Sequence, residues 1–458
     1  METVDRELIE KYNVKGPRYT SYPTSPNWES SFSEEAYKTK LISFGQSCKS
    51  LSLYIHVPFC ESRCYFCACS VLIHKSFPQN FQNDYIDSVL KEASLVQKIV
   101  GGRKSVKQFH IGGGTPSYLS IESLERLMAG ISDCFDLDFE SEIAIEIDPR
   151  FIDLEKLRCL KKLGFNRLSF GIQDFSEKVQ ASINRFHSFE VVSDLFKDVR
   201  NVGFENINID LIYGLPNQTM KRFKQTIEQV FKLKPSRIAL YSFAHIPQAI
   251  SHQKLIKEEE LPSPSIKLDL FMYARNELEK LGYLAIAMDH VALPSDPLAE
   301  AFENQSLHRN FMGYTTRPAD EFIGLGYSSI GFLENTFIQN VKSLDSYFKL
   351  LKEDRLPVAR GLLLSEDDRI RKWMIYEIMC HFKIDMKLFK DRYGKIFGDY
   401  FHNEAQEIRD FENEGFLKTE GNVISVTSRG KMFVRNIAMI FDSYLKKDRE
   451  KQVFSKTV

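Results

Sequence analysis

From about residue 51 the sequence alternates short apolar runs with amphipathic stretches of helical period, and this alternation constrains the fold more than any other feature. The apolar runs fall at 51–57, 106–111, 143–147, 167–171, 207–212 and 237–243, and the helical stretches at 84–98, 121–134, 154–163, 189–202 and 221–232. A run of five to seven apolar residues reads as a strand buried on both faces. A helix-length connection is what joins parallel neighbours, so the pattern predicts successive βαβ units and a parallel sheet. Six units are too few to close an eight-stranded barrel. The fold class is therefore α/β, as an open, partial (β/α)6 barrel. In such barrels the chemistry is carried by loops at the C-terminal ends of the strands, and those loops are the places to search.

The loop after the first strand carries Cys60, Cys64 and Cys67 in the run Tyr54-Ile-His-Val-Pro-Phe-Cys-Glu-Ser-Arg-Cys-Tyr-Phe-Cys-Ala-Cys69. Spacings of three and then two residues bring three thiolates onto one short loop, and thiolates are soft ligands that suit zinc or an iron–sulfur cluster. A structural zinc site would need a fourth ligand, which Cys69 could supply. A cubane cluster held by three cysteines instead keeps one iron open to an outside ligand. The remaining cysteines, Cys48, Cys134, Cys159 and Cys380, are scattered singly, as in a reduced cytoplasmic protein. The net charge of −1 offers no electrostatic footprint for nucleic acid or an anionic membrane. No apolar run reaches membrane-spanning length, and the start, Met1-Glu-Thr-Val-Asp-Arg-Glu7, has no apolar signal segment.

Polar residues at the other strand ends extend the candidate site. Gly112-Gly-Gly-Thr-Pro116 follows the second strand and lets backbone approach a ligand closely. Glu146 lies between Ile145 and Ile147, so strand alternation turns it into the barrel. Gln173 and Asp174 end the fourth strand, Arg185 follows them, and Asp210 sits between Ile209 and Leu211 in the fifth. Ala244 closes Tyr241-Ser-Phe-Ala244 after the sixth. His308-Arg-Asn-Phe-Met-Gly-Tyr-Thr-Thr316 is polar, aromatic and interrupted by glycine, so it reads as a functional loop in which His308 and Arg309 could hold carboxylates.

The flanks differ in texture from the barrel. Gly16-Pro-Arg-Tyr-Thr-Ser-Tyr-Pro-Thr24 predicts an ordered, extended arm. After residue 341, Ser365-Glu-Asp-Asp368 reads as a capping-box start, and 415–426 as a hairpin turning at Glu420-Gly-Asn422. Helices with such a hairpin suggest a winged-helix-like module that packs or covers, since no basic face marks it for DNA. The division expected is 1–45 as arm, 46–345 as barrel core with its extension, and 346–458 as a mainly helical C-terminal domain.

The CxxxCxxC spacing resembles the signature of the radical S-adenosylmethionine (SAM) superfamily. Taken with Lys11-Tyr-Asn-Val-Lys-Gly-Pro-Arg-Tyr-Thr-Ser-Tyr-Pro-Thr24, Ile207-Asn-Ile-Asp-Leu-Ile-Tyr-Gly-Leu-Pro216, the 308–316 loop and Arg435-Asn-Ile-Ala-Met-Ile-Phe-Asp-Ser-Tyr444, the whole chain is similar to the oxygen-independent coproporphyrinogen III oxidases. The resemblance implies one [4Fe–4S] cluster on Cys60, Cys64 and Cys67, with Cys69 nearby and not a ligand. It implies two SAM molecules: one at Tyr54, Gly113, Glu146 and Ile330, the other at Phe66, Gly114, Thr115, Gln173, Arg185, Asp210 and Ala244, with Phe311 and Met312 in the same neighbourhood. Tyr54, Cys69, His308 and Arg309 are the implied catalytic side chains. Glutamine is expected at position 312, and the methionine there lacks the amide's donors and acceptor. The reaction implied is conversion of the ring A and B propionates of coproporphyrinogen III to vinyl groups, with an electron donor such as flavodoxin or ferredoxin and a monomeric enzyme. The alternatives are a heme chaperone of the same superfamily, which has a shorter chain without the arm and a loop ending in Tyr-Trp, and another radical SAM porphyrin or heme enzyme.

Overall fold

The computed structural model describes residues 6–317, 319, 321–447 and 454–457, so the first five residues of the N-terminal segment read above lie outside it. All six expected strands form: β1 (Leu51–Val57), β2 (Ser105–Gly113), β3 (Asp136–Ile147), β4 (Arg167–Gln173), β5 (Asn206–Tyr213) and β6 (Arg237–Ser242). Each pairs in parallel with the next. Strand alternation sorts their side chains. Leu51, Leu53, Ile55 and Val57 of β1 are fully buried on one face, while Ser52, Tyr54 and His56 point to the other.

Helices return the chain between strands, with ends set by side-chain caps. Ser120 starts Ile121–Cys134, Ser188 starts Phe189–Asn201 and Thr219 starts Met220–Leu233, each accepting an amide from the first turn. The helix after the cysteine loop, Gln79–Val100, is longer than its apolar pattern indicated and closes on Gly101 in the left-handed region.

The sheet is larger than six strands. After β7 (Leu284–Ile286) and β8 (His290–Ala292), β9 (Glu321–Leu325) adds a further parallel strand beside β1. Then β10 (Ile330–Leu333), β11 (Thr336–Asn340) and β12 (Val358–Leu363) continue as antiparallel hairpins, completing a twelve-stranded sheet. Two expected boundaries move as a result. Glu34–Gly45, assigned to the arm, packs on Gln79–Val100 of the barrel layer. Strand β12, assigned to the C-terminal domain, belongs to the main sheet.

Beyond β12 the Ser365–Asp368 capping box starts the helix Glu366–His381 as expected. The hairpin Leu417–Glu420 with Val423–Val426 also forms and is joined by Lys383–Asp385 into a small three-stranded sheet. The arm runs between barrel and C-terminal helices. Tyr19 and Tyr22 are buried, with hydroxyls on Asp442 Oδ2 (3.0 Å) and Ser443 Oγ (3.1 Å). No helix among the described residues is long and apolar enough to cross a membrane.

Candidate active site at the barrel mouth

Strand β1 ends at Val57, and the chain turns through Phe59–Cys60 into a loop that returns along Leu72–Ile73. Neighbouring loops pin its backbone. Asn184 Nδ2 donates to the Arg63 carbonyl (2.9 Å), the Tyr65 N–H to the Ile183 carbonyl (3.0 Å), and a His252 ring nitrogen meets the Cys67 carbonyl at 2.7 Å. Cys60, Cys64, Cys67 and Cys69 all line one cavity of about 160 Å³ at the C-terminal ends of β1 to β5. Burial pushes the Cys60 thiol up to about 12 although the Thr115 hydroxyl lies 3.4 Å away. Donors from Cys69, whose N–H lies 3.4 Å from the Cys67 sulfur, make Cys67 the more acidic of that pair.

The glycine triplet forms the floor. Gly113, at φ +113°, donates its N–H to Glu146 Oε2 (3.0 Å). A Cβ on Gly112 would sit 2.7 Å from Glu146 Oε1, and one on Gly114 would sit 2.7 Å from the Pro58 carbonyl carbon. Side chains are excluded here by the carboxylate on one side and the cysteine loop on the other. Glu146 faces into the barrel as alternation predicts, with 41% of its side chain open to the interior. Burial works against its charge, but His110 Nε2 (3.2 Å) and the Gly113 amide hold its carboxyl below the ordinary value.

Further round the mouth, the Arg185 guanidinium lies 3.7 Å from the Cys64 sulfur, donates to Asp148 Oδ2 (2.8 Å) and is anchored on the Gly171 carbonyl (2.5 Å). Burial opposes the charge on Asp148, but Arg185 and then Arg150 outweigh it and bring the carboxyl to about 2. Asp210 behaves oppositely. Burial and then the charge of Glu146 raise it to about 7, against hydrogen bonds from Asn208 Nδ2 (2.7 Å) and Ser169 Oγ (3.4 Å). The mouth thus holds a fixed cation beside the thiols and two carboxylates facing open space.

Comparison with known proteins supplies the deciding observation. Residues 54–230 match the Radical SAM superfamily, and residues 364–433 match the HemN C-terminal domain. The oxygen-independent coproporphyrinogen III oxidase of Synechocystis sp. is 39% identical, across 99% of this chain and 97% of its own. That of Helicobacter pylori J99 is 41% identical across 100% of both. The solved coproporphyrinogen III oxidase (HemN) from Escherichia coli, a radical SAM enzyme, superposes with a TM-score of 0.90 at 37% identity, covering 96% of this chain and 99% of that one. This chain belongs to the oxygen-independent coproporphyrinogen III oxidase family.

Radical SAM enzymes use a [4Fe–4S] cluster and SAM, and the residues present fit both. In a cubane each thiolate binds a different iron, so the three need not converge on one point. Among the described residues no trio of His, Cys, Asp or Glu is placed to hold a single ion. Three thiols around one cavity, a guanidinium beside them and a side-chain-free glycine floor suit an anionic cluster with an extended ligand on it.

The cavity brings together twelve of the predicted residues: the four cysteines, Phe66, Gly113, Gly114, Thr115, Glu146, Gln173, Arg185 and Asp210. Tyr54 stands behind them, its hydroxyl 3.1 Å from His56 Nδ1 and its ring stacked 6.0 Å from that of His110. Ala244 enters through its backbone, because the Gln253 amide donates both to its carbonyl (3.0 Å) and to that of Phe66 (3.4 Å). Phe311 and Ile330 pack in an aromatic cluster with Trp28. The 308–316 segment is a tight hairpin, His308–Asn310 against Gly313–Thr315, with Met312 in its turn and its N–H on Asn310 Oδ1 (2.9 Å). Arg309 is buried, donating to the carbonyls of Arg18 (3.3 Å) and Tyr19 (3.4 Å), and His308 faces a second, separate cavity.

Sequence reading missed His56, His110 and Asp148. The signal was strand parity: His56 shares a face with Tyr54, and Asp148 follows Glu146 by two, so each continues an inward-pointing row. Asp174, grouped earlier with the mouth, instead turns outward to Gln218, Thr226 and the Ser176 N–H.

Proposed function

We propose that this protein converts coproporphyrinogen III to protoporphyrinogen IX by oxidative decarboxylation of the ring A and B propionates, in the cytoplasm and as a monomer. The observation that carries the reading is the junction of three thiols, the glycine floor, Glu146 and Asp210 in one barrel-mouth cavity, on a chain matching oxygen-independent coproporphyrinogen III oxidases along its whole length.

When bound, the cluster and SAM would supply a 5′-deoxyadenosyl radical able to take a hydrogen atom from a propionate β-carbon, after which forming the vinyl group releases CO₂ and passes one electron to an external one-electron acceptor. Cys60, Cys64 and Cys67 hold the cluster, and Arg185 offsets its negative charge. Glu146, Gly113, Tyr54 and Ile330 position one SAM. Asp210, Gln173, Thr115, Gly114 and the backbones of Phe66 and Ala244 position a second, with Arg185, Phe311 and Met312 beside it. Cys69 supports Cys67 through its N–H and presents its own thiol to the cavity. The arm and the C-terminal domain from about residue 364 onward cover the mouth and keep water from the radical. The reducing electron comes from a small carrier such as flavodoxin or ferredoxin.

The test is anaerobic: reconstituted protein, reductant, SAM and coproporphyrinogen III, with products separated by chromatography. Protoporphyrinogen IX and two equivalents of 5′-deoxyadenosine are expected. Deoxyadenosine without vinyl formation would overturn the substrate, and a colourless zinc protein that does not respond to SAM would overturn the cofactor.

A further inference from the structure

A cavity of about 750 Å³ lies outside the cysteine site, between the His308–Arg309 strand, β10 and the helix Glu366–His381. Residues 369, 372, 373, 376 and 380 of that helix recur three and four apart, so they form one stripe facing the cavity. The stripe is chemically mixed. Lys372 Nζ lies 4.4 Å from the Phe332 ring centroid and 4.9 Å from that of Tyr376, while Arg392 lies over Trp373 (5.8 Å) and Tyr393 (5.7 Å).

The cavity's carboxylates are already engaged. Glu366 pairs with Lys395 (3.1 Å) and Glu377 with His381 (2.9 Å). Among the described residues, no carboxylate forms an ion pair with Arg369, Lys372 or Arg392. Lys372 is half-buried, and burial lowers it to about 8, with Glu321 acting against the shift and Arg392 adding to it. Lys372 and Arg392 above aromatic faces, with Arg369 on the same helix stripe as Lys372, fit a flat, largely apolar ligand bearing several carboxylates. The volume falls within the roughly 300–1,000 Å³ range of small-molecule sites.

The cavity also adjoins the barrel mouth. Its walls Phe332 and Leu364 belong to the aromatic cluster that contains Phe311 and Ile330. At its inner end Arg309 acts electrostatically on Tyr241, which is also influenced by Asp210 of the mouth.

We infer that this cavity is the docking site for the tetrapyrrole, with Lys372, Arg392 and Arg369 holding carboxylates of the macrocycle while another edge reaches the radical centre. This rests on the activity proposed above and assigns its substrate a place beside, and distinct from, the cysteine cavity.

Binding is measured on the reconstituted, SAM-loaded protein by titration with coproporphyrin III, the stable oxidised macrocycle with the same four carboxylates, following its fluorescence. Lys372→Glu and Arg392→Glu should each weaken binding at least tenfold, and the tetramethyl ester of coproporphyrin III should bind the native protein at least tenfold more weakly than the acid. Lys372→Met, which keeps the packing over Phe332 and Tyr376, should also weaken it, separating loss of charge from loss of fold. Iron content and SAM binding should stay at native levels. Affinity within twofold of native in all three variants, with KM for coproporphyrinogen III unchanged, would overturn the docking site while leaving the activity standing. A native protein that neither converts coproporphyrinogen III nor binds coproporphyrin III would overturn both.

Discussion

Asp210→Asn tests the electrostatics of the mouth. The native carboxyl stands at about 7 because it is buried and faces the charge of Glu146, so it is about nine-tenths ionised at pH 8 and about one-tenth ionised at pH 6. The amide preserves the local structure: its oxygen still accepts from Asn208 and its nitrogen still meets the Ser169 hydroxyl. What is lost is a charge-assisted contact to a cationic ligand, worth about 1.5–3 kcal/mol, or roughly 10- to 150-fold in affinity at pH 8. At pH 6 the native protein has already lost about nine-tenths of its ionised form, so the gap between native and variant should shrink about ninefold, or about 1.3 kcal/mol. Equilibrium dialysis of labelled SAM against the reconstituted protein at pH 6, 7 and 8 measures this. The ligand's own amino group titrates in both proteins and cancels in the ratio of their dissociation constants. Glu146→Gln removes one cause of the raised value and should move the midpoint below 7. A native-to-variant ratio that is constant from pH 6 to 8 would refute the reasoning.

Three further outcomes are expected. Cys69→Ser should keep about four irons per chain and SAM binding, because serine retains both the N–H and a side-chain donor toward Cys67, while turnover falls; loss of the cluster by iron analysis would make Cys69 a ligand. Met312→Gln should preserve or raise vinyl formation per SAM consumed, since the amide adds hydrogen bonds worth about 0.5–1.5 kcal/mol each at a hairpin turn that already holds its backbone; a fall in turnover would show that the thioether is required. Burial raises Glu92 from 4.5 to about 7 despite hydrogen bonds from Gly326, Tyr347 and Asn340. The folded protein therefore keeps a proton that the unfolded chain releases, so stability should fall by roughly 2–3 kcal/mol between about pH 4.5 and 7 and level off above; thermal melts of Glu92→Gln should lack this slope.

The six core strands were legible because each is a short, largely apolar stretch flanked by amphipathic helices, with its apolar residues on one buried face. Strand β9 left no such mark. It begins on Glu321, which is buried against Lys49, and contains Gly324, whose missing side chain lets β10 approach so closely that a Cβ would meet the Ile330 carbonyl oxygen. Its place is set by pairing with a strand 270 residues earlier, which no local pattern encodes. In the site, the thiols and glycines were visible through spacing, and Glu146 and Asp210 through a polar residue interrupting an apolar strand. His56 and His110 were not singled out, since a lone histidine in a strand reads equally as core. The Arg309 tie to the arm was hidden because its partners are backbone carbonyls, which carry no residue identity.

The arm and the C-terminal segment are stitched together over the barrel. Arg435 reaches the Gly16 carbonyl across 419 positions of sequence, the Gly16 N–H meets the Ser455 carbonyl at 3.1 Å, and Lys15 bridges to Lys456. On a ribosome the arm emerges early, and its contacts with Arg435, Ser455 and Lys456 wait until these residues follow, while the barrel strands can already pair. The seam consequently closes only once residues 435–456 have been made.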